Sequence, residues 1–327
     1  MDKLRVGVVG AGHLGYYHIT NLKEVKTADL VGFYDIDKKR ASYVEEETGV
    51  KGFSSLESLL ENCDAISIVV PTQEHYAVAL KAIERGLHFF CEKPFMESVK
   101  QAEDIIRKAR AKKLIIQVGH VERFNPALKC LRGEILAPLF IESHRIAPFN
   151  PRGTDVAVIL DLMIHDIDII LSLVRSRVVR INATGAPILS ENIDIANARI
   201  EFENGCIANV TASRVSQKKM RKMRIFQKNK YISIDFLTRE TDIYWLSENL
   251  QNVPEVSNVK LDRMKKQILF RKISIPEGNP LKEELEAFIE AVITRKPPKI
   301  TAEEGLEALK IAVEIEKQVK ENLKKIL

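Results

Sequence analysis

Residues Val6–Gly15 read VGVVGAGHLG, an apolar run that leads directly into a glycine-rich turn. The run Val6–Val9 is typical of a buried strand. The glycines that follow, Gly10, Gly12 and Gly15, have the spacing G-x-G-x-x-G. In such a turn the first glycine permits a sharp bend, the second lets backbone N–H groups approach a phosphate, and the third allows a helix to pack closely on the strand. The stretch therefore predicts the strand, turn and helix that begin a doubly wound α/β domain.

A second apolar run, Leu30–Tyr34, ends at Asp35, twenty residues after Gly15. An acid at this distance accepts hydrogen bonds from the ribose hydroxyls of a dinucleotide and repels a 2′-phosphate. The arrangement therefore predicts a bound NAD rather than NADP. The cationic residues 38–40 could tolerate NADP, but such a run is more often the solvated first turn of a helix.

Length and composition indicate an ordinary globular protein. The 327 residues suggest about two domains, and 45% are hydrophobic and 29% charged. A net charge of +5 is compatible with an anionic substrate and far from the strong basic footprint of a nucleic-acid-binding protein. The four cysteines are scattered without metal or redox spacing, which favours reduced thiols in a cytoplasmic protein.

No membrane or export segment is expected. The N-terminus enters a predicted strand almost at once, which leaves no room for a secretory signal. The longest apolar stretch, Val156–Val174, contains Asp161, His165, Asp166 and Asp168. Four ionisable groups would be prohibitive in a lipid-spanning helix.

The sequence pattern changes near residue 121. Residues 1–121 alternate short apolar runs with helical stretches, which predicts a Rossmann domain with a parallel sheet. Residues 122–327 contain runs that alternate apolar and polar residues, and Asn204-Gly205 predicts a two-residue hairpin turn. We expect a substrate-binding and oligomerisation α+β domain with a large, mostly antiparallel, open sheet. Helices predicted at Leu281–Thr294 and Ala302–Leu323, within 281–327, can pack back toward the first domain.

The triplet Glu92-Lys93-Pro94 follows the fourth strand-like run, His88–Cys91. Ligands of an open parallel sheet bind beyond the carboxyl ends of its strands. Because proline restricts the backbone of the residue before it, Lys93 is expected to be held where the nicotinamide lies. The alternative is a surface lysine that precedes a loop.

Asp161 and His165 lie four residues apart in a stretch rich in Val, Ile, Leu and Met. On an α-helix this spacing places both on one face, where a carboxylate can align an imidazole. His165 is then expected to accept a proton near neutral pH. The alternative is a buried histidine, bonded to the aspartate, without a reactive role. No third ligand at suitable spacing is evident, so no metal is expected.

Four segments carry a resemblance to a known family. They are Gly10–Gly15, Pro71–His75 (PTQEH), Glu92–Pro94, and Asp161 with His165. In this order, and over essentially the full length, the sequence resembles the glucose–fructose oxidoreductase / inositol dehydrogenase / rhizopine catabolism (Gfo/Idh/MocA) family. Glu-Lys-Pro followed later by Asp-x3-His is specific to that family.

The resemblance implies an N-terminal Rossmann domain that binds NAD(P) and a C-terminal domain whose sheet mediates a homodimer or homotetramer. It also implies that Lys93, Asp161 and His165 present a sugar or polyol hydroxyl to the nicotinamide. The residues expected to bind the cofactor are Gly10, Gly12, His13, Leu14, Gly15, Asp35, Ile36, Pro71, Thr72, His75, Glu92 and Lys93.

Segments 118–126, 144–152 and 161–168 are most similar to the UDP-N-acetylglucosamine 3-dehydrogenases of that family. Those enzymes form the 3-keto sugar nucleotide that an aminotransferase converts toward 3-amino lipid A precursors. The resemblance thus implies oxidation of UDP-N-acetylglucosamine at C3. Two alternatives remain open, the oxidation of a free polyol or sugar such as myo-inositol and a non-catalytic NAD sensor.

A UDP-sugar carries two phosphates, which arginine binds well through paired hydrogen bonds. The candidate substrate residues are Arg123, Phe124, Arg145, Arg152 and Arg214. The alternative for each arginine is an ion pair with a surface carboxylate. Residues 218–230 include seven Lys or Arg. This favours a solvated strand face over a phosphate-facing patch, a subunit contact or a nucleic-acid site.

Overall fold

The computed structural model describes residues 3–150, 156–247, 257–261, 266–274 and 278–325. The chain divides into two compact units. The first is formed by the described residues of Met1–Val121 and Asn279–Lys310, and the second by those of Glu122–Gly278 and Ile311–Leu327.

Helices and strands alternate through the first unit, and strands dominate the second. The helices are α1 (His13–Glu24), α2 (Lys38–Thr48), α3 (Leu56–Leu60), α4 (Thr72–Glu84), α5 (Val99–Ala111), α6 (Pro126–Lys129), α7 (Ile164–Val174), α8 (Pro280–Thr294) and α9 (Ala302–Leu323). The strands are β1 (Leu4–Val9), β2 (Ala28–Tyr34), β3 (Ala65–Ile68), β4 (His88–Glu92), β5 (Ile116–Gly119), β6 (Phe140–Ile146), β7 (Val178–Ala186), β8 (Ile195–Phe202), β9 (Ile207–Ser213), β10 (Met220–Gln227), β11 (Lys230–Asp235), β12 (Glu240–Ser247), β13 (Ser257–Leu261) and β14 (Lys266–Ser274). The helices predicted near the C-terminus are α8 and α9.

The first unit contains a parallel sheet with the strand order β2-β1-β3-β4-β5. This order confirms the predicted Rossmann sheet. The chain turns from β1 to β2 on one side and continues with β3 on the other, so a crevice opens beyond the carboxyl ends of β1 and β3. The glycine turn and the Glu-Lys-Pro triplet both lie at that edge of the sheet.

A buried cluster joins the sheet of the first unit to α1 and α8. Val8 of β1 belongs to this cluster together with Leu22 of α1 and Phe288 of α8. On α8, Leu285, Phe288 and Val292 recur at helical spacing and form the buried stripe. Each fully buried side chain of this size contributes about 1.5–3 kcal/mol, so α8 is an integral part of this unit.

The second unit contains a large sheet with the order β13-β14-β12-β11-β10-β6-β9-β8-β7. Its described pairs are antiparallel except β6 with β9. On β6, Ile141, Ser143 and Arg145 are buried, whereas the residues between them are partly exposed. The predicted open, mostly antiparallel sheet is therefore confirmed.

The hairpin predicted at Asn204-Gly205 joins β8 to β9, but its turn is longer than two residues. The Gly205 N–H donates to the Phe202 carbonyl, and the Phe202 N–H donates to the Cys206 carbonyl. Only Gly205 of this turn has a positive φ, +86°. A two-residue type I′ turn needs positive φ at both central residues, whereas a longer loop needs it only at the glycine.

The apolar stretch predicted as one helix begins with a π-helical turn, Ile159–Met163, before α7. The Ile164 N–H donates to the Ile159 carbonyl, five residues earlier. Asp161 thus lies in a wider turn than His165, which is in the first turn of the regular helix. Among the described helices, none is long and apolar enough to cross a membrane.

Candidate active site

The glycine turn after β1 is tightly packed at two glycines and open at the third. Gly10 has a φ of +96°, and a Cβ there would lie 2.6 Å from the Val69 carbonyl oxygen. A Cβ on Gly15 would lie 2.0 Å from the Gly10 carbonyl oxygen. A Cβ on Gly12 would meet no atom within 4 Å. The backbone at Gly12 is therefore the part of the turn that a phosphate can approach.

Helix α1 begins at His13 with Gly12 as its N-cap. Because glycine has no side chain, the first N–H groups of this helix have no capping group from that position. These groups and the positive end of the helix dipole favour an anion. His13 and Leu14 are exposed at the same end. The turn and helix fit the diphosphate of a dinucleotide.

Asp35 follows β2 and is held by the backbone on both sides. Its Oδ2 accepts the Ala11 N–H at 2.6 Å, and its Oδ1 accepts the Asp37 N–H at 2.8 Å. The neighbouring Ile36 is 87% exposed. The carboxylate is thus fixed beside the glycine turn, where the predicted contact with a ribose requires it.

The cationic residues 38–40 form the first turn of α2, as predicted, but they do not all extend into solvent. Lys38 and Lys39 are exposed. Arg40 turns back, and its Nε donates to the Ala11 carbonyl at 2.7 Å while its Nη2 donates to the Gly12 carbonyl at 3.3 Å. Sequence reasoning missed Arg40 as a residue that holds the glycine turn.

Lys93 stands at the carboxyl end of β4, is partly exposed, and precedes a cis peptide bond to Pro94. Buried His75 on α4 holds this segment. Its Nδ1 lies 3.1 Å from the Pro94 carbonyl oxygen and its Nε2 2.9 Å from the Val70 carbonyl oxygen. Burial lowers the pKa of His75. Helix α4 begins at Thr72, with Pro71 as its N-cap, at the same edge.

Glu92, predicted as a cofactor contact, is buried and faces a histidine that sequence reasoning missed. His18 Nε2 lies 3.1 Å from Glu92 Oε1, and His18 Nδ1 lies 2.8 Å from Ser67 Oγ. The sequence could have indicated His18 by its spacing. It lies three residues after Gly15, which places it on the buried side of α1.

In the second unit, Asp161 lies in the π-helical turn and His165 in the first turn of α7, and both are partly exposed. The two acids that follow His165 are buried and paired with arginines. Arg145 donates to Asp166 from Nε at 2.6 Å, and Arg123 donates to Asp168 from Nε at 2.8 Å. These pairs fix the helix turn that carries His165.

The arginines proposed for a substrate phosphate are engaged with carboxylates. Arg145 also donates to Glu122 Oε1 at 2.7 Å, and Arg214 donates to Asp194 Oδ1 at 2.8 Å. Arg123, Arg145 and Arg214 thus form the ion pairs that were the alternative to phosphate binding. Their carboxylate partners are buried, whereas the sequence suggested surface acids. Burial alone would lower the pKa of Arg145, but the facing carboxylates raise it.

The other two candidate substrate residues have different outcomes. Phe124 is buried in a short 3-10 turn, Val121–Phe124. Arg152 lies outside the described residues. The part of the chain that the structure describes contains no group of three or more His, Cys, Asp or Glu side chains placed to hold a metal ion.

Both units of the chain contain segments that match a known protein family. Residues 4–120 match the oxidoreductase family with an NAD-binding Rossmann fold, and residues 142–232 match the GFO/IDH/MocA C-terminal domain. The chain is 35% identical over 316 residues to the UDP-N-acetylglucosamine 3-dehydrogenase of Acidithiobacillus ferrooxidans, covering 96% of this chain and 97% of that one. The solved structure of that enzyme, GnnA, superimposes with a TM-score of 0.89 over 98% of each chain at 34% identity.

A further relative is named for a different substrate. The myo-inositol 2-dehydrogenase of Thermotoga maritima is 25% identical over 337 residues, covering 97% of each chain. The matches to both halves of the chain, together with the glycine turn and the parallel sheet, confirm the resemblance found in the sequence. The chain belongs to the GFO/IDH/MocA family of NAD-binding oxidoreductases.

Proposed function

We propose that this protein is an NAD-dependent dehydrogenase that oxidises the C3 hydroxyl of UDP-N-acetylglucosamine to a ketone. The observation that carries the proposal is the similarity to the Acidithiobacillus ferrooxidans enzyme over 98% of both chains. The 3-keto sugar nucleotide is a suitable substrate for an aminotransferase on the way to 3-amino lipid A precursors.

The fixed position of Asp35 supports NAD as the cofactor. Two backbone N–H groups hold this carboxylate beside the glycine turn. A ribose diol can donate hydrogen bonds to it, whereas a 2′-phosphate would meet its negative charge. Arg40 is close by, but it already donates to the Ala11 and Gly12 carbonyls.

The proposed catalytic residues are Lys93, Asp161 and His165. Acceptance of the hydride and its two electrons from C3 of the sugar is the chemistry that NAD would supply when bound. His165 accepts the hydroxyl proton, and Asp161 aligns the imidazole or holds a neighbouring hydroxyl. The Lys93 ammonium donates a hydrogen bond to the oxygen as negative charge develops on it. The opposite assignment, with Lys93 as the base, makes a different prediction, which is given in the Discussion.

The outer face of the large sheet supports a homodimer or homotetramer. One row of stacked or tilted aromatic rings crosses five strands, with centroid separations of 4.6–5.8 Å between neighbours. The row consists of Phe140, Phe226, Tyr231, Tyr244 and Phe270, all partly exposed. An apolar row of this length is typical of a surface that another subunit covers.

A substrate panel tests the proposed function. NADH formation is followed by absorbance with UDP-N-acetylglucosamine, free N-acetylglucosamine and myo-inositol at equal concentrations. We expect turnover of the UDP-sugar at a much higher kcat/KM than of either free compound. Preferential turnover of myo-inositol would replace the proposal with polyol oxidation, and NAD binding without turnover of any hydroxyl compound would indicate a sensor.

A further inference from the structure

His18 is fully buried in the first unit and has no part in the chemistry proposed above. It lies on α1 and reaches two neighbouring strands. One ring nitrogen faces Ser67 on β3, and the other faces Glu92 at the end of β4. Lys93 directly follows Glu92 in the chain.

The chemistry of the partners fixes the direction of these hydrogen bonds. A carboxylate only accepts, so His18 Nε2 carries a proton and donates it to Glu92 Oε1. In the neutral ring, Nδ1 is then an acceptor and receives the Ser67 hydroxyl proton. The three side chains thus form one directed chain, in which Glu92 sets the tautomer of His18 and Ser67 helps to orient its ring.

The Glu92 carboxylate is also restricted on its other side. Its Oε2 accepts the backbone N–H of Lys93 at 3.2 Å. Gly119, its partner on β5, leaves room for the carboxyl group, since a Cβ there would lie 2.9 Å from the Glu92 Oε2. With one oxygen on His18 and the other on the Lys93 backbone, the carboxylate connects the buried histidine to the lysine.

We infer that His18 is a positioning residue for Lys93, acting through Glu92 from beneath the end of β4. The functional part of this inference rests on the proposed role of Lys93, and the structural part does not. Losing the Nε2 contact frees the Glu92 carboxylate and, with it, the Lys93 backbone. Small displacements of a reacting group can lower turnover by up to about 100-fold.

Two amide substitutions separate the contacts of His18. In His18→Gln, the side-chain amide nitrogen takes the place of Nε2 and can still donate to Glu92. In His18→Asn, the amide takes the place of Nδ1, so the contact with Ser67 can remain and the contact with Glu92 is lost. We expect His18→Gln to keep kcat for UDP-N-acetylglucosamine within about threefold of wild type, and His18→Asn to lower it roughly 10–100-fold. The Kd for NAD should change little in either variant.

A second readout needs no substrate. Hydrogen exchange of a peptide spanning residues 91–96 reports on the Lys93 amide, with Pro94 contributing none. We expect faster exchange in this peptide for His18→Asn than for His18→Gln, with thermal unfolding recorded for both. If His18→Asn does not fold, Ser67→Ala replaces it, and we expect a shift in the same direction.

The outcomes separate the two proposals. If the wild-type protein does not turn over UDP-N-acetylglucosamine, the proposed substrate is wrong. Faster hydrogen exchange in His18→Asn would still support the positioning role in that case. The positioning role would be overturned if His18→Asn and His18→Gln had equal hydrogen exchange and equal kcat. Where Ser67→Ala replaces His18→Asn, hydrogen exchange and kcat equal to those of the wild type would overturn it.

Discussion

The guanidinium of Arg145 lies 2.6 Å from the carboxylate of Asp166, and both side chains are only 2% exposed. The same guanidinium contacts Glu122 at 2.7 Å. Because Asp166 immediately follows His165, this buried cluster holds the turn that carries the proposed base. The contribution of this cluster to the free energy of unfolding can be measured directly.

Replacing Arg145 should strongly destabilise the second unit. Arg145→Met leaves buried Asp166 without its cation and leaves Glu122 with Arg221, at 3.4 Å. Breaking a buried pair in this way costs about 3–5 kcal/mol. Urea unfolding measures the loss. Arg177→Met is the matched control, because the Arg177–Glu203 pair is exposed, and it should leave the free energy of unfolding nearly unchanged. Similar losses in the two variants would show that the buried cluster contributes nothing particular.

Stability should fall in acid partly because of Glu122. Burial alone would raise the pKa of this carboxyl, but Arg145 lowers it below the ordinary value of 4.5. A carboxyl with a lowered pKa adds stability above its unfolded pKa and loses it as the pH falls through the folded one. Urea unfolding from pH 7 downward should therefore show a decline below about pH 4.5, and this decline should be shallower in Glu122→Gln. An identical pH dependence in that variant would exclude the contribution of Glu122.

Cofactor preference should depend on Asp35. Asp35→Ser removes the carboxylate that faces a 2′-phosphate, so kcat/KM for NADP should rise by roughly tenfold or more while that for NAD falls. Asp29→Ser is the control, since it removes an exposed charge from the beginning of the same strand. Steady-state kinetics with each cofactor decide the point. An unchanged preference in Asp35→Ser would show that another group discriminates.

The aromatic row should be required for assembly. Tyr231→Glu places a charge between Phe226 and Tyr244 in that row, which a covered apolar surface does not tolerate. Light scattering after gel filtration should show the wild type as a dimer or tetramer and Tyr231→Glu as a smaller species. Tyr231→Phe keeps the ring and should assemble normally. A monomeric wild type would contradict the proposed interface.

The proposed catalytic side chains should differ in chemical rescue. Lys93→Ala and His165→Ala should each lower kcat by about 10²–10⁴-fold. If His165 is the base, added imidazole should restore part of the activity of His165→Ala and none of that of Lys93→Ala. Rescue of Lys93→Ala by added amines alone would favour the opposite assignment. Lys100→Ala, on the exposed side of α5, should remain fully active.

The Rossmann sheet and its cofactor edge were predictable because their signals are local. The run Val6–Gly15 contains a strand, its turn and a helix start within ten residues, and Asp35 lies at a fixed distance from it. The open sheet was likewise visible in alternating runs, such as those of β9 and β10.

The parts that sequence reasoning missed depend on contacts between distant segments. Arg145 was one of the candidate phosphate ligands, with an ion pair as the alternative. Its position on β6, in step with buried Ile141 and Ser143, indicates the core. The partners of His18 lie 49 and 74 residues away in the chain. The π-helical turn at Asp161 contains no glycine or proline that would signal it.

Product analysis with labelled substrate tests the central proposal most directly. The protein is incubated with NAD and UDP-N-acetylglucosamine deuterated at C3, and both products are examined by mass spectrometry. We predict that the sugar nucleotide loses the C3 deuterium together with the hydroxyl hydrogen, and that the deuterium appears in NADH in equal amount. Reduced cofactor without deuterium, or an unchanged sugar nucleotide alongside turnover of free polyols, would contradict the proposal.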